Sequence, residues 1–267
     1  MPRMKLNGAA LHVTDTGGPG APVVFAHGLL WSSRMFAPQI EALRGEYRCI
    51  AFDFRGQGQS EVTSAGYDMD TLSDDAAALL EALQIAPAHF VGLSMGGFVG
   101  MRLAARRPEL VRSLALLETA ADPEPLLNRP RFALLTLAAR VLGFGALAGQ
   151  AMRALCGRTF LSDPARAGQR EALVAQLVAN DPVGTLRAMK GVFERQGIEG
   201  ELGRIRAPTV VITGDEDVSI PPARARRTVA RIPGARFVAI PRAGHTSTLE
   251  EPEAVTAALR AFLASAN

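Results

Sequence analysis

Residues 92–96 read Gly92-Leu93-Ser94-Met95-Gly96, between an apolar run at 88–93 and a helix-like pattern at 95–106. A serine on a sharp strand-to-helix turn holds its hydroxyl above the sheet, within reach of a base. Flanking glycines relieve the crowding that such a turn creates. The five-residue pattern alone is weak evidence, because glycine is a frequent residue. Two residues further along the chain are more telling: Asp217 comes after a later strand-like run, and His245 stands in a Gly244-His245 step. Nucleophile, acid and base thus run Ser, Asp, His along the chain.

Short apolar runs recur at 22–26, 47–53, 88–93, 111–117, 208–213 and 236–240, as in parallel strands buried on both faces. Helical patterns at 33–43, 69–83, 95–106, 222–232 and 252–264 lie between and after them. Residues 5–15 read as a hairpin turning at Asn7-Gly8, and Thr71 to Asp74 has the spacing of a helix cap. This alternation predicts an α/β fold, a mainly parallel central sheet with helices on both faces. The rhythm breaks from about 120 to 204, where Ala, Leu, Arg and Met dominate and no strand is evident. The expected organisation is one core domain from residues 1–120 and 205–267, with a helical lid insertion at 121–204. The lid would cover the carboxyl ends of the strands, where open α/β sheets bind ligands.

The chain has 267 residues, 48% hydrophobic and 21% charged, enough to bury one sizeable core. Net charge is only +3, and 27 of the 29 basic residues are arginine. Their densest group, Arg224, Arg226, Arg227 and Arg231, reads as a solvated helix face. No aromatic stacking platform accompanies it, so no nucleic-acid partner is expected. Cys49 and Cys156 form no disulfide framework, and the N-terminal residues lack an apolar run of signal-peptide length. A cytoplasmic location is therefore expected. Residues 132–151 are long enough to span a bilayer, but Thr136, Arg140, Gln150 and three glycines interrupt them. They read as buried lid helices, with no membrane span. No His, Cys and carboxylate cluster has ligand spacing, so neither a metal nor another cofactor is expected.

A serine hydroxyl needs a base to take its proton at neutral pH. His245 suits that task, with an ordinary pKa near 6.5, and Asp217 would orient it and stabilise the imidazolium. Asp215 competes for the acid role, and Glu216 lies beside it. The loop His27-Gly28-Leu29 follows an apolar strand. Such a loop supplies one backbone N–H to an oxyanion, and the residue after the serine supplies another, which assigns Leu29 and Met95. His27 reads as a residue holding that loop, His12 and His89 as structural, and Asp53 with Arg55 as a structural pair. Candidate pocket residues are Trp31 and Arg34 after the loop, with Phe132, Phe144 and Met189 from the lid. Leu135, Met152, Phe160 and Phe193 extend the apolar lid set, and Arg34 is the candidate partner for a substrate carboxylate.

Taken together, His27-Gly28, Asp53-Phe54-Arg55-Gly56-Gln57-Gly58-Gln59-Ser60, Gly92 to Gly97 and Gly244-His245 resemble the α/β-hydrolase fold family. The resemblance spans residues 5–120 and 208 onward, and is nearest to small esterases, enol-lactone hydrolases and cofactor-free haloperoxidase-type enzymes. It implies a metal-independent serine hydrolase acting on small carboxylic esters or lactones through an acyl-enzyme. Carbon–carbon bond hydrolysis and perhydrolase chemistry use the same triad and stay open. A non-catalytic binding protein on this fold would usually lack a triad member, whereas all three are present. Ser94 departs from haloalkane dehalogenases and epoxide hydrolases, which need a carboxylate nucleophile. A dinucleotide site, with Glu118 as its acid, would need glycine where Ser94 stands.

Overall fold

A computed structural model describes residues 3–266. Strands β1 (Arg3–Leu6) and β2 (Ala9–Asp15) form the expected hairpin, with Asn7 and Gly8 both at positive φ in its turn. Next come β3 (Pro22–Ala26), helix α1 (Ala37–Leu43), β4 (Arg48–Phe52), α2 (Met69–Ala82), β5 (Ala88–Leu93), α3 (Met95–Arg106) and β6 (Val111–Leu117). Five helices succeed them: α4 (Arg129–Leu142), α5 (Phe144–Leu155), α6 (Arg158–Ser162), α7 (Ala167–Val178) and α8 (Pro182–Phe193). The chain closes with β7 (Thr209–Gly214), α9 (Pro222–Val229), β8 (Arg236–Ile240), α10 (Ser247–Glu250) and α11 (Pro252–Ser265).

The strands form one eight-stranded sheet in the order β1-β2-β4-β3-β5-β6-β7-β8. Among the described residues only β1–β2 and β2–β4 are antiparallel, and β4 through β8 run parallel. Successive strand residues feed two apolar layers. Val24, Phe90, Leu114 and Val211 pack on one side, against residues of α2 and α3. Val23, Val91, Ala115 and Val210 pack on the other, against residues of α1 and α11. With a helical layer on each face, both sides of these strands are buried, hence their largely apolar runs.

Local details depart from expectation for identifiable reasons. Helix α2 is capped by Asp68, whose carboxylate accepts the Thr71 N–H at 2.9 Å, not by Thr71 itself. Thr71 lies inside the first turn, where its N–H is one of the orphan donors a cap must satisfy. The apolar stretch at 132–151 is broken at Gly143, which has φ +79° and separates α4 from α5. Among the described residues no helix is long and apolar enough to cross a membrane. Nor are these helices simply buried: Leu134, Leu137 and Val141 of α4 are exposed, because only one side of that helix packs on its neighbours. The arginines of the α9 region are largely engaged. Arg224 and Arg227 bond Asp122 at 3.1 and 2.9 Å, and Arg226 stacks over Phe237.

Asp53 and Arg55 are not partners. Asp53 accepts the Ser33 and Gln59 N–H groups at 2.7 and 2.8 Å, pinning the turn after β3 to the glycine-rich loop. Arg55 pairs with Asp75 on α2 (Nε to Oδ2 2.8 Å), and Asn7 donates to the same carboxylate. The side chains of this ion pair are 6% and 0% exposed. Asp75→Ala would leave a buried guanidinium without its counter-charge, so stability should fall by about 3–5 kcal/mol. Urea denaturation is the measurement, and a loss confined to a few tenths would mean that water compensates Arg55.

Candidate active site

Strand β5 runs straight into Ser94, which occupies φ 50°, ψ −107° between strand and helix. Its N–H donates to the Leu117 carbonyl at 2.8 Å, and its own carbonyl accepts from Phe98 N and Thr119 Oγ1, both at 3.0 Å. A non-glycine residue held at such angles costs on the order of 1–3 kcal/mol and persists because its surroundings over-determine it. Two glycines make the turn possible. A Cβ on Gly96 would collide with the Ala26 carbonyl of β3, and one on Gly92 with the Gly96 carbonyl.

The loops after β7 and β8 bring the other two groups to Ser94. His245 Nε2 lies 2.9 Å from Ser94 Oγ, and His245 Nδ1 lies 2.8 Å from Asp217 Oδ2. Asp217 Oδ1 also accepts the Ser219 and Ile220 N–H groups at 2.8 and 2.9 Å, which fixes the carboxylate plane. All three residues are buried. The competing acids point elsewhere. Asp215 accepts the Arg242 N–H, while Glu216 accepts both the N–H and the hydroxyl of Thr159.

Two further carboxyls support this constellation without having been assigned there from sequence. Glu250 gathers the N–H groups of Gly157, Gly244 and Thr246 and the Thr246 hydroxyl, all within 3.0 Å. It thereby clamps the His245 loop to the start of α6, although burial still holds its pKa above the ordinary range. Glu118 directly follows β6 at φ 48°, is fully buried, and accepts the Gly214 N–H at 2.9 Å. Burial, and then the negative charge of Asp217, push its pKa well above the ordinary value. Glu118 therefore holds its proton more tightly than an ordinary carboxyl, beside the carboxylate that faces His245. Its place at a strand end was visible in sequence, but its contact with a residue 99 positions away was not.

The His27 loop faces Ser94 from β3. Gly28 lies so near that a Cβ there would sit 3.5 Å from the Ser94 Cβ. His27 Nε2 accepts the Phe54 N–H at 3.0 Å, which leaves Nδ1 protonated to donate to the Gly28 carbonyl at 2.7 Å. Burial lowers its pKa and keeps the ring neutral. The Leu30 N–H is held by Gln57 Oε1 at 2.9 Å. Leu29 and Leu30 border the space above Ser94, and Met95 opens α3, whose first N–H groups have no helical acceptor.

A cavity of about 720 Å³ opens there, reaching Ser94 and His245 at its base. Phe132, Leu135, Phe144, Met189 and Phe193 wall it, with Phe132 and Phe193 stacked at 3.8 Å. Trp31 and Arg34 are not part of that wall. Trp31 is 2% exposed inside the apolar layer beside Phe25 and Met35, and Arg34 is exposed on the turn that leads away from the loop. Met152 and Phe160 likewise belong to that inner layer. The wall is not wholly apolar. Glu124 and Arg195 face each other across it at 3.5 Å, and Arg195 stacks on Phe98 with its pKa lowered to about 10 by burial. Among the described residues no group of His, Cys and carboxylates is placed to hold a metal ion.

A sequence profile of the α/β hydrolase fold matches residues 21–252. The chain belongs to the α/β-hydrolase fold family. It superposes on an enol-lactonase from Burkholderia xenovorans with a TM-score of 0.90 and 31% identity, covering 98% of this chain and 100% of that one. A thermophilic esterase from Thermogutta terrifontis gives a TM-score of 0.89 and 30% identity, covering 97% and 94%. A Mycobacterium tuberculosis protein bearing the name "Putative non-heme bromoperoxidase BpoC" is 34% identical over 259 residues, 94% of this chain and 97% of the relative. The chain is thus an α/β-hydrolase whose relatives are named for hydrolase and peroxidase activities, and the hydrolase members support an enzymatic role.

The buried acid of this α/β-hydrolase is open to a direct test. A carboxyl whose folded pKa is raised stays protonated in the native state while the unfolded chain loses its proton above about pH 4.3. Stability therefore falls as pH rises from there towards the folded pKa. Glu118→Gln keeps the shape and removes the titration, so its stability relative to wild type should grow between about pH 5 and 8 in urea denaturation. A constant difference would show that Glu118 is ionised in the folded protein.

Proposed function

We propose that this α/β-hydrolase cleaves carboxylic esters or lactones through an acyl-enzyme. The observation that carries the reading is the continuous hydrogen-bonded chain from Ser94 through His245 to Asp217. Ser94 Oγ attacks the substrate carbonyl as His245 Nε2 takes its proton, and Asp217 stabilises the resulting imidazolium. The oxyanion rests on the N–H groups of Leu29 and Met95, each such donor being worth about 2.7–4 kcal/mol in the transition state. His245 then protonates the departing alkoxide, and the carbonyl re-forms as the acyl-enzyme. A water molecule, deprotonated by His245, attacks that acyl group and releases the acid and free Ser94. Helices between residues 121 and 204 act as a lid over this site. The two cysteines, both free and buried, fit action in the cytoplasm.

The cavity walls favour modest apolar acyl groups, because Phe132, Phe144 and Met189 offer carbon surface close above Ser94. Each methylene withdrawn from water contributes about 0.8 kcal/mol, so kcat/KM should rise up to about fourfold per carbon until the cavity fills. A perhydrolase activity is a second reading, supported by the near full-length similarity to the bromoperoxidase-named relative. In it, hydrogen peroxide replaces water in deacylation and the acyl group leaves as a peroxyacid.

Turnover of p-nitrophenyl acetate and butyrate by wild type and Ser94→Ala tests the core of this scheme, and equal rates would end it. Asp217→Asn should lower kcat by up to about 10⁴-fold by disfavouring the productive tautomer. Asp215→Asn, whose carboxylate accepts the Arg242 N–H away from His245, should change it little. An ester series from acetate to octanoate checks the pocket, and a steady fall from acetate onward would reject the apolar assignment.

A further inference from the structure

Helix α4 presents two different faces. Phe132, Leu135 and Ala139 turn towards the cavity, whereas Leu134, Leu137 and Val141 stand away from it, 68%, 57% and 70% exposed. The second set follows helical spacing, so it forms one stripe along the helix. Leu126 and Leu127 before the helix and Leu142 at its end are also exposed and lengthen the stripe. On a helix of 3.6 residues per turn, Arg131 falls to one side of the Leu134–Val141 line, at the margin where it also borders the cavity, and Arg140 falls to the other; both are exposed. From residue 129 to residue 162 the chain has five arginines and neither Asp nor Glu.

We propose that this face of α4 docks on the anionic surface of a lipid bilayer. Its leucines and valine would enter the boundary between headgroups and acyl chains, and the flanking arginines would contact lipid phosphates. Apolar side chains on one face with cations at the margins are what an interfacial helix requires. The guanidinium fork pairs well with phosphate oxygens. Charge also decides against the obvious alternative. A second copy meeting this patch about a two-fold axis would set arginine against arginine, with no acid in the segment to oppose them. Anionic headgroups supply the missing opposite charge. The same helix would then hold lipid on its outer face and wall the substrate cavity with its inner one. Neither half of this arrangement depends on the ester reading.

The test is co-sedimentation of the full chain with unilamellar vesicles of phosphatidylcholine, with or without phosphatidylglycerol, at low and high salt. Wild type should sediment with the phosphatidylglycerol vesicles and weakly with phosphatidylcholine alone, and salt should release it. The double variant Leu134→Asp, Val141→Asp should bind at least roughly tenfold more weakly. Arg140→Glu alone should weaken binding roughly fivefold or more. Far-ultraviolet circular dichroism and thermal unfolding establish that the variants fold, and binding is read without substrate. The proposal is overturned if wild type ignores anionic vesicles, if binding is indifferent to phosphatidylglycerol, or if the double variant binds as well as wild type. It is equally overturned if sedimentation velocity without lipid shows a dimer that the double variant converts to monomer, which would make the stripe a contact between copies.

Discussion

The close approach of α3 to the ends of β3 and β5 is the constraint on which the site depends. Gly92 and Gly96 lack the Cβ atoms that would strike neighbouring carbonyls, so the helix can begin directly over the strand ends. That placement drives Ser94 to positive φ and lifts its hydroxyl clear of the sheet. The Gly96 N–H then donates to the His27 carbonyl at 3.1 Å. The Ser94 turn and the facing loop are therefore joined by one backbone bond. Any side chain at either glycine would have to move backbone, which a close-packed interior resists.

Around this point the protein buries three carboxyls, and each is accommodated differently. Asp217 remains an acceptor for two backbone N–H groups and the His245 ring. Glu250 is surrounded by four donors from two segments. Glu118, beside Asp217, is pushed towards its protonated form by burial and by the neighbouring negative charge. Unpaired ions in a low-dielectric interior are costly, so bond, cage and proton are three solutions to one problem. Their joint effect is to hold the loops after β7 and β8 in register with Ser94.

The helical segment between β6 and β7 serves two surfaces at once. Its inner residues make the cavity largely apolar, but Glu124 and Arg195 place an ion pair in the wall. Arg224 of α9 approaches the same glutamate at 3.6 Å, linking the cavity wall to the helix that follows β7. Among the described residues the outer side of α4 shows no such partners, and its large apolar residues stay in contact with solvent. A helix packed on one side only is the reason a single apolar stretch in the sequence has two fates.

Much of this was legible in the chain itself. Continuous apolar strands alternating with amphipathic helices specify a parallel sheet with helices on both faces, because only burial on both faces makes such strands favourable. The order of Ser94, Asp217 and His245, each just beyond a strand, placed them at one edge of that sheet, because parallel strands end on the same side. Pairings and directions were not legible. The partner of Arg55 proved to be Asp75 rather than Asp53, and the cap of α2 proved to be Asp68 rather than Thr71. Trp31 and Arg34 come just after the loop in sequence yet turn away from the cavity, while Glu118 and Arg195 reach it or its acid from distant segments. Local pattern determines which elements form and which face is apolar. Which side chains meet, and which carboxyl keeps its proton, was decided only when tertiary packing set distances and excluded water.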